Sequence, residues 1–184
     1  MALTATLYDF QVALSHVDRR IEQQLSFKVA RHPSETLERL WLRVLAYCWQ
    51  FEERLEFGKG LSDPDEPDLA TRDYTGQVTR WIRVGKPEPE KIHRAVTQNS
   101  GAQVVVLFES PERLQAFLAE AAEQKLTRVS KAQLAAVDPG LLERLAEKDE
   151  RRAKLTLTLV GDHVYVDRDG ESLDGPLTLG PSPG

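Results

Sequence analysis

The segment from residue 63 to residue 68 combines four acids with two prolines, in the order Asp-Pro-Asp-Glu-Pro-Asp. Carboxylates spaced this closely can hold a divalent cation, because hard cations prefer oxygen ligands. The same residues can form a solvated turn in which aspartate side chains accept hydrogen bonds from backbone amides. Both interpretations stay open at this stage, and Asp65 and Glu66 are the candidate metal ligands.

Basic side chains dominate the segment that follows. Lysine and arginine recur between residues 80 and 94, at Arg80, Arg83, Lys86, Lys91 and Arg94. Such a run is common on a solvated surface, but Arg83, Lys86, Lys91 and Arg94 could also line a groove for the phosphate backbone of a nucleic acid. Arg83 has another alternative, because a salt bridge to Asp65 or Glu66 would take the place of a metal ion.

Other kinds of site find little support. The four histidines, at positions 16, 32, 93 and 163, lack the spacing of zinc ligands. Cys48 falls on the apolar face of a predicted helix, which indicates a core residue rather than a nucleophile. A Ser-His-Asp arrangement and a glycine-rich phosphate loop are both missing, since Gly58 and Gly60 make too short a motif.

A helix and a strand must position the candidate residues. Residues 32–35 predict a helix start, with Ser34 as its cap and with Glu35 and Glu38 opposing the positive end of the helix dipole. Apolar residues then recur every three or four positions, which predicts the main core helix to about residue 54. Residues 77–84 predict a strand that ends at Gly85.

The remaining pattern is typical of an α/β protein with a central mixed sheet flanked by helices. Residues 5–31 alternate with a period near two, which predicts a hairpin with its turn at residues 18–20. The other predicted elements are short strands at 55–57, 126–129 and 177–179, a strand buried on both faces at 103–108, helices starting at 87–90, spanning 111–124, and running from Asp138 to about 147, and a hairpin at 155–159 and 164–166.

Composition limits the class of protein. The chain has 184 residues, of which 41% are hydrophobic and 29% charged, as expected for one globular domain over residues 1–179 with a flexible tail at 180–184. The N-terminus does not resemble a signal peptide and no apolar run could cross a bilayer, so we expect a cytoplasmic protein without a membrane partner. A net charge of -5 disfavours broad, sequence-blind nucleic-acid binding but leaves room for a local basic face.

Several motifs in order give the chain a resemblance to a known family. They are His-Pro-Ser-Glu-Thr at residues 32–36 followed by Glu38-Arg39, Phe-Gly-Lys-Gly-Leu at 57–61, Asp-Glu-Pro at 65–67, and Trp81-Ile82 with Val84-Gly85. The sequence resembles the YaeQ family of small bacterial proteins over essentially its whole length. The resemblance implies a variant of the restriction-endonuclease-like, or PD-(D/E)xK, fold, with an added N-terminal hairpin and a C-terminal β-hairpin.

Active members of that superfamily hold a divalent metal with acids from a helix, a hairpin and a strand, next to a lysine that positions the attacking water. Carried over by this resemblance, Glu38 (or Glu35), Asp65 and Glu66 would bind magnesium, and Asp65, Glu66 and Lys91 would be the catalytic residues.

This chain departs from the pattern at Arg83, where the family usually has an acid, and at His93 and Arg94, where it tends to have lysine. Two functions follow as expectations. The first is a non-catalytic or weakly active protein that binds nucleic acid or a protein partner, and the alternative is a magnesium-dependent nuclease.

Overall fold

The N-terminal hairpin predicted from the alternation is present in the structure, a computed structural model that describes residues 4–59 and 65–184. Strand β1, Thr6–His16, pairs with β2, Ile21–Arg31, in antiparallel register along its whole length. Arg20 in the turn has a φ of 54°. The hairpin prediction is therefore confirmed, with each strand 11 residues long.

The main helix is shorter than predicted at both ends. Helix α1 spans Leu37–Trp49, and the Thr36 side chain caps it by accepting a hydrogen bond from the Arg39 amide. Ser34, the predicted cap, instead contacts the ring of His32 at 2.7 Å, within a turn that precedes the helix. The helix ends at Trp49, with Gln50 as its C-cap, and Arg54, with a φ of 74°, comes directly before the next strand.

Ten strands of the described chain form one mixed sheet, in the order β2-β1-β8-β9-β10-β7-β6-β5-β4-β3. The rings of Phe27 on β2 and Phe57 on β3 lie 5.6 Å apart, so the two edge strands approach each other and the sheet is nearly closed. Strands β3 to β10 span Leu55–Phe57, Leu69–Arg72, Val78–Gly85, Gln103–Phe108, Gln133–Val137, Arg152–Val160, His163–Arg168 and Glu171–Leu179.

Three more helices pack against this sheet, and each was predicted. They are α2 at Pro89–Gln98, α3 at Pro111–Glu123 and α4 at Pro139–Leu145. Asp138 caps α4 as expected, because its carboxylate accepts from the Leu141 amide at 3.1 Å. The helix ends two residues before the predicted position 147. Within the described ranges, no helix has both the length and the apolar character needed to cross a membrane.

Two strands, β4 and β7, were not predicted from the sequence, and one predicted strand is a 3₁₀ helix in the structure. Residues 126–129 were predicted as a strand, but Thr127–Lys131 forms a 3₁₀ helix. The strand of this region is β7, whose sequence Gln-Leu-Ala-Ala-Val is rich in alanine, a helix-favouring residue. Strand β4 is only four residues long and contains no run of β-branched side chains.

The curved sheet encloses one core and carries a second on its outer face. α1 and α4 lie inside the curve, where Ile82 and Val84 of β5 join their core. α2 and α3 cover the outer face of β5, β6 and β7, where Trp81 is buried. Cys48 is fully buried in the inner core, and this burial raises the pKa of its thiol to about 12, as expected for a core residue.

The C-terminal hairpin joins the two halves of the sheet. β8 and β9 pair as predicted, and β10 pairs first with β9 and then, through residues 177–179, with β7. Past this strand, the Gly180 amide donates to the Leu134 carbonyl at 2.8 Å and the Gly184 amide donates to the Ser130 carbonyl at 3.0 Å. Flexibility of the 180–184 tail stays a prediction.

Candidate functional site

Three parallel strands end at one edge of the sheet, and a helix starts soon after each of them. β5, β6 and β7 run parallel, and α2, α3 and α4 each begin with a proline. At the end of β5, Gly85 has a φ of 102°, a conformation that favours glycine. Ligands of α/β proteins usually bind outside the carboxyl ends of parallel strands. The part of the basic segment from Arg83 to Arg94 therefore lies where a ligand site is expected, whereas Arg80, near the start of β5, pairs with Glu52.

A buried ion pair fixes the beginning of α1 beside this edge. Glu35 has a side chain that is 1% exposed, and its carboxylate accepts from Arg43 at 2.5 and 3.0 Å and from Arg39 at 2.8 Å. Arg43, which is 3% exposed, also donates to the Ala30 carbonyl at 2.8 Å. Arg39 and Arg43 are four residues apart and share one face of α1, and Glu35, which precedes the Thr36 cap, lies against that face. The Glu35 carboxylate is fully engaged by these contacts.

A second buried carboxylate, that of Asp68, connects α1 to β5. One oxygen accepts from Arg39 at 2.8 Å, and the other accepts from the Val84 amide at 2.8 Å and lies 3.7 Å from Nε of Arg83. The Asp68 amide donates to the Ile82 carbonyl at 2.8 Å, which fixes the residue against β5. Burial alone would lower the pKa of Arg39, but the carboxylates of Asp68 and Glu35 raise it.

Arg83 lies between this network and the outer face of the sheet. Its guanidinium donates to the main-chain carbonyl of Glu66 and lies 5.5 Å from the centre of the Trp81 ring. Arg83 thus lies near the carboxylate of Asp68, and its contact with Glu66 is to the backbone of that residue. The ion pair of Arg83 with Asp65 or Glu66 stays a prediction.

A cavity of about 460 Å³ opens between the start of α1 and the end of β5. Lys86 and Lys91 line it together with Arg39 and Arg83, and neither lysine ammonium pairs with a side chain in residues 4–59 or 65–184. Lys91 also lines a smaller cavity on the outer side, next to Arg94. Three carboxylates complete the lining of the larger cavity, those of Glu38, Glu88 and Glu109.

The acids predicted to bind magnesium do not come together. Glu38 lines the larger cavity, whereas Asp65 lines the smaller one, 3.8 Å from Arg94. Glu66 borders a third cavity, on the far side of its loop. In the described part of the chain, no three acid, histidine or cysteine side chains form a group that could hold a metal ion. The residues described do not fit the expected magnesium site. Asp63 and Pro64 of the acidic segment lie outside the described residues.

Sequence analysis missed Arg39, Arg43 and Asp68, the residues that organise this edge. The spacing of Glu35, Arg39 and Arg43 is a signal that could have identified the ion pair, because residues four apart share a helix face. Asp68 follows Pro67 directly and precedes a strand, so its position was also visible in the sequence. Its pairing with α1 depends on contacts across 29 residues, which no local pattern reports.

Comparison with known proteins gives consistent matches. A model of the YaeQ protein family matches residues 1–175. Proteins described as "Uncharacterized protein YaeQ" from Salmonella typhi and Escherichia coli K12 are 32% and 31% identical over 183 residues, covering all of this chain and 99% of each relative.

Two solved structures have the same fold. The crystal structure of a YaeQ protein from Xanthomonas axonopodis pv. citri matches with a TM-score of 0.88 and 30% identity, over 98% of this chain and all of that one. A YaeQ protein from Pseudomonas syringae matches with a TM-score of 0.86 and 29% identity, over 98% of both chains.

Proposed function

The chain belongs to the YaeQ family, and from its site we propose that it is a non-catalytic protein that binds the phosphate groups of a nucleic acid. The binding site is the cavity at the end of β5, and Lys86 and Lys91 are its principal ligands. Arg94, on the exposed face of α2, lies beyond the cavity and contributes less positive charge, because Glu90 and Asp65 pair with it. A cytoplasmic location, where nucleic acid is available, is part of this proposal.

One observation carries the proposal: arginine side chains already form ion pairs with the two buried carboxylates at this edge, those of Glu35 and Asp68. Arg39 and Arg43 neutralise Glu35, while Arg39 and Arg83 neutralise Asp68. A divalent cation near Asp68 would be repelled by two guanidinium groups, so this network opposes a metal site. Lys86 and Lys91, without partners among the described side chains, then remain to attract an anion. Glu109, which also lines the cavity, is paired with Arg113, so Glu38 and Glu88 are the carboxylates that oppose the two lysines. The proposal therefore depends on the positions of the two ammonium groups and not on the net charge of the cavity.

The position of Asp68 also supports the finer proposal of a restriction-endonuclease-like core. Pro67-Asp68 lies at the start of the second strand of the β3–β4 hairpin, and Arg83 is on the strand that pairs with it. In that superfamily the corresponding places carry an aspartate and a strand acid. We infer that Asp68, rather than Asp65 or Glu66, corresponds to the hairpin aspartate of the superfamily. Arg83 then stands at the position of the strand acid.

The binding proposal predicts a loss of affinity when the two lysines are neutralised. In Lys86→Gln/Lys91→Gln, affinity for a fluorescent single-stranded oligonucleotide should fall by at least about tenfold at low salt. Each phosphate contact that forms on binding releases counterions from the nucleic acid. With two such contacts removed, the slope of log affinity against log salt should become shallower by about one to two. Fluorescence anisotropy at several salt concentrations measures both quantities.

The matched control is Lys28→Gln/Lys154→Gln, which changes the net charge equally on exposed positions of β2 and β8. This variant should keep most of the affinity of the wild type. If both double variants lose the same affinity, binding depends on net charge alone and the proposed cavity is wrong.

The competing function is a magnesium-dependent nuclease that uses Asp65, Glu66 and Lys91. Nuclease assays on single-stranded, duplex and branched DNA and RNA with magnesium or manganese separate the two. We expect no cleavage by the wild type. Cleavage that persists through purification and disappears in Asp65→Ala would establish the enzyme instead, whereas cleavage that survives in this variant would indicate a contaminant.

A further inference from the structure

A second exposed surface lies on the outer side of β4, at the opposite end of β5 from the proposed phosphate site. Its centre is Tyr74, in the turn between β4 and β5, whose side chain is 94% exposed. Large aromatic residues are seldom left this accessible, because burying them is favourable. The guanidinium of Arg54 lies over the ring, 4.1 Å from its centre.

The turn that carries Tyr74 is held by its own hydrogen bonds. The Asp73 carboxylate accepts from the Thr75 amide at 2.8 Å, from the Thr75 hydroxyl at 2.5 Å and from the Gln77 amide at 3.0 Å. These bonds, that of the Thr75 side chain foremost, lower the pKa of Asp73. Arg54 donates to the Asp73 carbonyl at 3.3 Å, which keeps its guanidinium beside the ring. The aromatic surface is therefore arranged before any ligand arrives.

Beside this turn lies a cavity of about 800 Å³, a volume that can hold a nucleotide. Arg54, Arg72 and Tyr74 line it together with Glu66, which also contacts Arg83. Its lining carries acids as well as bases, so charge alone would not retain a ligand there. An exposed ring beside a cavity of this size suits a planar group that binds by stacking.

Strand register shows which residues near Tyr74 share a face of the sheet with Arg83. Glu56 pairs with Ala70, and Ala70 pairs with Trp81, so all three point to the same face of the sheet. Arg83 and Arg72 are each two residues from one of them and share that face, because side chains alternate along a strand. The cavity beside Tyr74 thus lies on the same face of the sheet as Arg83, which lines the proposed phosphate site.

We propose that Tyr74 is a stacking platform for an unpaired base of a single-stranded nucleic acid whose phosphates bind at Lys86 and Lys91. This inference rests on the proposed function and adds the kind of nucleic acid to it. A duplex keeps its bases stacked inside the helix and cannot place one on the ring. The protein should therefore prefer single strands to duplexes of the same length.

The test compares two labelled strands of about 12 nucleotides, one with bases and one abasic, by fluorescence anisotropy. The wild type should bind the strand with bases about tenfold more tightly than the abasic strand. In Tyr74→Leu the affinity for the strand with bases should fall to the abasic level, and that for the abasic strand should not change. Tyr74→Phe should bind like the wild type, because the ring is kept.

Further variants distinguish a failure of base stacking at Tyr74 from a failure of the proposed phosphate binding. Tyr165→Leu removes a half-exposed tyrosine from β9, in the other half of the sheet, and should bind both strands like the wild type. If Tyr74→Leu binds both strands like the wild type, or weakens both equally, the stacking platform is wrong but phosphate binding stands. If the wild type binds neither strand, the proposed function fails and the platform with it.

Discussion

Replacing Glu35 with glutamine should lower the free energy of unfolding by about 3–5 kcal/mol. The change removes the only carboxylate that contacts Arg43 among the described side chains, and it leaves a guanidinium that is 3% exposed with two neutral acceptors, the Ala30 carbonyl and the amide oxygen of the new glutamine. An unpaired buried charge is costly because it has lost its water and gained no counterion. Since single domains are stable by about 5–15 kcal/mol, the effect would be a large part of the total.

Urea unfolding followed by the fluorescence of the buried residues Trp41 and Trp49 measures this loss. Glu38→Gln is the matched control, because it makes the same chemical change three residues further on, at an exposed position in the first turn of α1, and should cost less than about 1 kcal/mol. The double variant Glu35→Gln/Arg43→Met should be more stable than Glu35→Gln, since it removes the unpaired charge. If it is less stable, the unpaired charge of Arg43 is not the reason why Glu35→Gln lowers the free energy of unfolding.

Strong local periodicity made much of the fold predictable. The alternation of residues 5–31 and the apolar stripe of α1 each lie within one element, so they report the burial of that element directly. β6 was identified for a related reason, because an apolar run of Val104 to Phe108 fits a strand covered on both faces. Its neighbour β7 lacks that signal, since two of its five residues are alanine and only its place in the sheet selects the extended form.

The candidate site was predictable in place but not in arrangement. Residues 83–94 do lie at the carboxyl edge of the parallel strands, and the two lysines among them, which have no side-chain partner in the described part of the chain, line the cavity there. The carboxylate that pairs with Arg39 at this site is that of Asp68, which is buried. Asp65 and Glu66, only two or three residues earlier, are exposed. Asp68 lies in the hydrogen-bonding register of β5, whereas Asp65 and Glu66 precede it in an exposed loop.

Replacing Asp68 with asparagine should make the protein less stable and at the same time more responsive to anions. The change should cost about 2–4 kcal/mol, because Arg39 and Arg83 lose the carboxylate between them while the Val84 amide can keep an oxygen acceptor. Arg39 would keep its ion pair with Glu35, but the negative charge between Arg39 and Arg83 would be gone, and an anion from solution could take its place. Sulfate, which has oxygens of suitable geometry for guanidinium groups, serves as the probe.

Urea unfolding with and without sulfate, at constant ionic strength set by chloride, tests both halves of the expectation. Sulfate stabilises proteins in general by exclusion from their surface, so only the excess over the wild type reports binding. Asp65→Asn is the matched control and should lose less than about 1 kcal/mol, because the carboxylate of Asp65 is exposed. It should gain no excess from sulfate. An equal sulfate response in Asp68→Asn and the wild type would mean that the carboxylate of Asp68 is not what keeps anions from Arg39 and Arg83. The phosphate site would then have to depend on Lys86 and Lys91 alone.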